Sequence, residues 1–282
     1  MSRDVVATVS LPAIEHNAKR VKSLAPHASI MAMVKANAYG HGLLPVSKVL
    51  EKYVAGFGVA CMEEAVALRE AGIKKAVLLT QGVFDRADLE LASRFHFSMV
   101  VHHEHQLSLL KSASQLSSCW LKFDSGMSRL GFSVRVFPHV LSQFLSEHPQ
   151  HVPVLMTHFA NAENPSHELN ALQQQRFLQA TDGIVLPKSA CNSAALYSLP
   201  SLHYDWVRPG IMLYGISPFA NRNAVDLGLK PVMQLKARLI AIKELDPGDV
   251  IGYGSRFECK KTLRLGVVNI GYGDGYPRHA SD

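Results

Sequence analysis

Short apolar runs recur along most of the chain, at residues 30–34, 56–60, 76–80, 97–101, 119–123, 152–157, 184–186 and 205–207. Runs of this length and continuity read as strands buried on both faces. Between most of them the spacing turns helical: residues 62–71 run up to Gly72, and Val140, Leu141, Phe144 and Leu145 fall at i, i+1, i+4 and i+5. Upstream, residues 5–9 are β-prone, and Leu11, Ile14, Ala18 and Val21 keep helical spacing up to the turn at Pro26. Strand and helix alternating eight times predict an α/β fold, a (β/α)8 TIM barrel over residues 10–224. A doubly wound open sheet is the alternative.

The pattern changes after Ala224. Met233, Leu235, Ala237, Leu239 and Ala241 alternate with Gln234, Lys236 and Arg238, which predicts one strand with a solvated face. Pro247-Gly248-Asp249 is a turn, and Leu263, Leu265 and Val267 alternate again. Residues 225–282 are therefore expected to begin a β-rich C-terminal domain, completed by the strand in residues 1–9.

Composition narrows the function classes. With 282 residues, 48% of them hydrophobic and 18% charged, the chain can bury a full core. The net charge of +6 is scattered, with pairs such as Lys74-Lys75 and Lys260-Lys261 but no basic stripe, which argues against nucleic acid and suits a small anionic ligand. Cys61, Cys119, Cys191 and Cys259 form no CxxC metal pair and read as reduced core residues; no metal is expected. The first residues have no signal-peptide core and no stretch has the length of a membrane span, so the expected location is cytoplasmic, with no membrane partner.

In a barrel, polar residues at strand ends converge on one site. Lys35 ends the first apolar strand and is followed by Tyr39, Gly40 and Gly42. A lysine there either snorkels to solvent or is a desolvated amine able to form an imine with a carbonyl compound. The fifth strand leads into Lys122-Phe-Asp124-Ser-Gly-Met-Ser-Arg129-Leu-Gly131, the sixth into Thr157-His158, the seventh into Asn192-Ser193 and the eighth into Arg208-Pro-Gly210-Ile211. Taken singly, Arg208 reads equally as a surface arginine before a turn, Lys122 as an exposed lysine and His158 as a core histidine.

Together these segments resemble the alanine racemases, fold type III pyridoxal-phosphate enzymes with a barrel and a C-terminal β domain. The shared motifs are V-K-A-N-A-Y-G-H-G, K-x-D-S-G-M-x-R-L-G, T-H-F-A, N-S-A-A, R-P-G-I-x-x-Y-G, I-G-Y-G-S-R-F and G-Y-G-D-G-Y-P-R, in the family's order. The resemblance implies interconversion of L-alanine and D-alanine by two bases, supplying D-alanine for peptidoglycan. Lys35 would carry pyridoxal 5'-phosphate and serve one face of Cα. Tyr253, donated by the partner in a homodimer, would serve the other. Arg208 would face the cofactor's ring nitrogen, Tyr39, Ser193 and the N–H groups of Gly210 and Ile211 would hold its phosphate, and Asn192 would help position the cofactor. Arg129 would contact cofactor and substrate carboxylate, His158 would link Arg208 to the tyrosine, and Lys122 matches a lysine often carbamylated in the family. Family members continue beyond G-Y-x-D-G-Y-P-R, so the chain is expected to be C-terminally truncated relative to them. Two alternatives accompany this reading: a racemase of broader amino-acid specificity, and a cofactor-binding fragment without turnover.

Overall fold

The computed structural model describes residues 4–111 and 118–278. The chain divides into two compact units, one of residues Ser10–Val232 and one combining Met1–Val9 with Met233–Asp282. The first strand, β1 (Val6–Val9), belongs to the smaller unit.

The larger unit is a closed parallel barrel of β2 (Ser29–Met33), β3 (Gly56–Val59), β4 (Ala76–Leu79), β5 (Ser98–Val101), β6 (Cys119–Lys122), β7 (Val154–Met156), β8 (Lys188–Ser189) and β9 (Trp206–Val207). Every neighbour in the ring pairs in parallel, including β9 back to β2 through Ser29 opposite Trp206. The doubly wound alternative is thereby excluded. Side chains from β2, β4, β5, β6 and β7 pack together: Met31, Leu78, Val100, Trp120, Val154 and Met156 form one buried cluster, with Trp206 edge-on to Trp120 at 5.4 Å between ring centroids. The helix Leu11–Leu24 begins at Ser10, whose hydroxyl accepts the Ala13 N–H, and buries Ile14, Ala18 and Val21.

Three expectations need correction. The apolar run 184–186 is not the seventh strand; Val185 is 99% exposed, and the strand is the polar pair Lys188-Ser189 beyond Pro187. Its register comes from pairing, since the Leu155 N–H donates to the Pro187 carbonyl and the Lys188 N–H to the Asp205 carboxylate. Cys61 is exposed, whereas the other three cysteines are buried. The alternating segment after Val232 forms two strands instead of one.

Those two strands, β10 (Met233–Lys236) and β11 (Leu239–Leu245), have different partners. β10 pairs antiparallel with β1, and β11 with β14 (Leu263–Val268), with a register shift between Leu239 and Ala241. Between β11 and β14, β12 (Val250–Ile251) pairs with β13 (Phe257–Glu258). Among the described residues, no helix is long and apolar enough to cross a membrane.

Candidate active site

Directly after β2 the backbone changes hand. Ala36, Asn37, Ala38 and Tyr39 all have φ between 53 and 54°, so Lys35–Tyr39 is a left-handed helical turn. For L-residues this conformation costs roughly 1–2 kcal/mol per residue, and a run of four persists only where its surroundings dictate it. The bonds that hold it are visible: the Ala38 N–H donates to Val34 O at 2.7 Å, Gly40 N–H to Ala36 O at 3.0 Å and Gly42 N–H to Asn37 O at 3.0 Å. The Asn37 side chain accepts the Leu43 N–H at 2.8 Å, where the helix Leu43–Leu50 begins. The turn directs Lys35 and Tyr39 to the same cavity.

After β6 the chain folds back on itself. The Asp124 carboxylate accepts the N–H groups of Gly126, Met127 and Ser128 at 2.9–3.1 Å, and Phe132 donates back to Lys122 O at 2.9 Å. Gly131, at φ +129°, permits this return, because a Cβ there would lie 2.7 Å from the Asp124 nitrogen. Arg129 is presented from this loop.

Lys35, Tyr39, Lys122, Arg129, His158, Asn192, Ser193, Arg208, Gly210 and Ile211 all line one cavity of about 520 Å³, within the size range of small-molecule sites. Thr80, Gln81 and Glu163 also line it; sequence patterning carried no signal for them. Tyr253 belongs to the β-rich unit and is 89% exposed.

The cavity floor is cationic and buried. Arg208 is 3% exposed, which removes the surface-arginine alternative. Its guanidinium donates to the Ser189 hydroxyl, to Thr157 O at 2.6 Å, to Ala190 O at 3.4 Å and to His158 Nδ1 at 3.2 Å. Burial lowers it to about 10, still above neutrality, so it remains charged with only neutral acceptors around it. That donor makes Nδ1 of His158 the acceptor and puts the imidazole proton on Nε2. Burial, then Arg208, Lys122, Arg129 and Lys35, hold His158 well below its usual range, so it is neutral at pH 7. Lys122 is 5% exposed, not a surface lysine; burial, then Arg208 and Arg129, bring its amine down to about 8. Burial and then Arg129 also lower Lys35, with Glu64 opposing them.

A polar cradle faces this floor. The Ser193 hydroxyl accepts the N–H groups of Gly210 at 2.9 Å and Met212 at 3.4 Å. A Cβ at Gly210 would lie 2.5 Å from the Tyr39 hydroxyl, so glycine is what admits that oxygen. Tyr39 stacks on buried Tyr214 at 4.8 Å between centroids, and the Tyr214 hydroxyl donates to Met33 O at 2.9 Å. Asn192 accepts the Ala195 N–H at 3.0 Å and donates to Phe159 O at 3.3 Å, holding the loop after β8. Behind the site, buried Gln173 donates to His158 O and to the Ser125 hydroxyl and accepts the Ala160 N–H. Nothing in the helical pattern around Gln173 marks this role.

The family profile described as "Alanine racemase, N-terminal domain" matches residues 9–218, and "Alanine racemase, C-terminal domain" matches residues 232–282. An alanine racemase of Coxiella burnetii is 44% identical over 282 residues, 97% of this chain and 77% of that protein. One of Nitrosococcus oceani is 45% identical over 280 residues, with the same two coverages of 97% and 77%. Among solved structures, the alanine racemase of Acinetobacter baumannii superposes with a TM-score of 0.93 at 41% identity, covering 98% of this chain and 78% of that one. The biosynthetic alanine racemase of Pseudomonas aeruginosa gives 0.92 at 40%, covering 99% and 79%.

Proposed function

Because the chain belongs to the alanine racemase family, we propose that it interconverts L-alanine and D-alanine with pyridoxal 5'-phosphate held through Lys35. The observation that carries the reading is the cavity itself: a lysine with lowered basicity at a strand end, a buried charged arginine, and a cradle of hydroxyl and backbone N–H groups.

The residues fit this cofactor. Tyr39, Ser193 and the N–H groups of Gly210 and Ile211 would hold the phosphate, in the glycine-relieved gap next to the Tyr39 hydroxyl. Lys35 would hold the aldehyde carbon, and Arg208 would lie against the ring nitrogen. When bound, the cofactor supplies an electrophilic carbon and a conjugated ring that stabilises negative charge at the substrate's Cα.

The chain's own groups then divide the work. Lys35, its basicity lowered by burial and then by Arg129, takes or returns a proton at one face of Cα. Tyr253 from a second copy does so at the opposite face; its exposure suits a donated side chain. Arg208 keeps a fixed positive charge that would disfavour protonation of the cofactor's ring nitrogen and so would favour return of the proton to Cα. His158, neutral and protonated on Nε2, relays hydrogen bonding from Arg208 toward the tyrosine. Arg129 orients the substrate carboxylate. Lys122, lowered to about 8, has a nucleophilic amine fraction near neutrality that suits carbamylation; the modification would turn one of several neighbouring cations into an anion.

Mixing the purified chain with pyridoxal phosphate is expected to give a visible absorbance band, and the same sample is expected to form D-alanine from L-alanine. A folded chain that gives neither would overturn the reading.

A further inference from the structure

The left-handed turn that carries Lys35 is held from outside by Glu64, in the first turn of the helix Met62–Glu70. One carboxylate oxygen accepts the Asn37 N–H at 2.9 Å, and the other accepts the Ala60 N–H at 3.0 Å. Ala60 follows β3, the barrel neighbour of β2. A single side chain therefore ties the turn after one strand to the end of the next. We propose that Glu64 is a positioning residue for Lys35, its carboxylate clamping the strained turn Lys35–Tyr39 against the end of β3.

The proposal rests on the reading of Lys35 given above and extends it to a residue outside the cavity lining. Four consecutive non-glycine residues with positive φ need an external constraint, and Glu64 supplies one at the centre of the run. The far end of the same turn delivers the Tyr39 hydroxyl into the gap left by Gly210, so the clamp sets two cavity groups at once. Its charge acts too. Burial and then Arg129 lower the basicity of Lys35, and Glu64 acts in the opposite direction. A carboxylate is required because both oxygens must accept; the amide of glutamine offers one acceptor and turns a donor toward the second N–H.

Two measurements on the full chain without pyridoxal phosphate test this. In Glu64→Gln, hydrogen exchange over residues 36–42 is expected to lose about tenfold or more of its protection while the β4–β7 peptides keep theirs. The pH midpoint for acetylation of Lys35, followed by peptide mass spectrometry, is expected to fall. Unchanged protection with an unchanged midpoint would overturn the clamp. Should Glu64→Gln alone fail to fold, adding Ala36→Gly is expected to restore folding, because glycine removes the left-handed cost at that position. A double variant no more stable than the single one would overturn the proposal. Neither measurement depends on turnover, so the clamp can fail while the racemase reading stands, and the reverse.

Discussion

Arg208 and Tyr253 are proposed to serve one reaction, yet the barrel unit leaves Arg208 3% exposed and the β-rich unit leaves Tyr253 89% exposed. The barrel fixes its chemistry by burial. Arg208 has a bond to each of four neutral acceptors, Lys122 is shut in with other cations, and Lys35 rides on a backbone conformation that L-residues avoid. These groups owe their position and basicity to their own unit. The β-rich unit fixes its tyrosine differently, at a short 3-10 turn (Tyr253–Ser255) between β12 and β13, where the side chain is open to another surface. In the proposed reading, one half of the site is built by folding and the other half by association.

The strongest break of that contrast is at the lysine. Lys35→Ala is expected to abolish the visible band and lower turnover by about 10³-fold or more, measured as D-alanine formed. Next is the tyrosine. Tyr253→Phe is expected to slow Cα proton exchange from L-alanine by about 10²-fold, with a smaller loss from D-alanine, followed by deuterium incorporation. Because the side chain is exposed, the variant's unfolding free energy should stay within about 0.5 kcal/mol of the parent chain's, the range typical of surface changes. Equal losses from both enantiomers would remove Tyr253 from one face. Co-assembling Lys35→Ala chains with Tyr253→Phe chains sharpens the comparison further. Each is impaired alone, and in a random equimolar mixture of dimers about a quarter of the sites should carry both native residues and regain full activity. No recovery in a mixed dimer would contradict donation across copies.

Burial also predicts a pH dependence confined to the barrel. In the folded chain Lys122 loses its proton near 8, and in the unfolded chain near 10.5. Below about 8 both states carry the charge and the folded one bears the whole burial cost. Between the two values the unfolded chain binds more protons, so stability rises with pH. Lys35 and Arg208 are lowered in the same direction and add to the rise. With carbon dioxide excluded, Lys122→Met is expected to flatten the curve and to stabilise the chain near neutrality by about 1–3 kcal/mol, read from urea unfolding. The smallest effect is expected at Val185→Ser, on the order of 0.5 kcal/mol or less, because that side chain is 99% exposed.

The barrel was legible because most of its strands are continuous apolar runs, and burial on two faces requires such runs. The seventh strand was not, because Lys188-Ser189 is held by its neighbours' backbone and by Asp205 without an apolar side chain of its own. The apolar run beside it, 184–186, drew the expectation to the wrong place. The break between β10 and β11 was hidden as well: alternation continues through Ala237 and Arg238 although the pairing partner changes. Within the site, residues at strand ends stood out by type and motif, and the cavity lining includes ten of them. What orients them did not. Ala36-Asn37-Ala38-Tyr39 holds no glycine to announce a left-handed turn, and Glu64 and Gln173 lie on helices whose patterns treat them as ordinary polar positions. Asp124 had a faint signal, an aspartate followed by serine and glycine, which is a common start for a loop that folds over a carboxylate.

Chemical trapping decides whether Lys35 carries the cofactor. The chain loaded with pyridoxal phosphate would be reduced with borohydride, digested, and the pyridoxyl-modified lysine located by peptide mass spectrometry. The modification is expected on the peptide containing Lys35. Stoichiometric modification at Lys122 or at a surface lysine, with Lys35 unmodified, would contradict it.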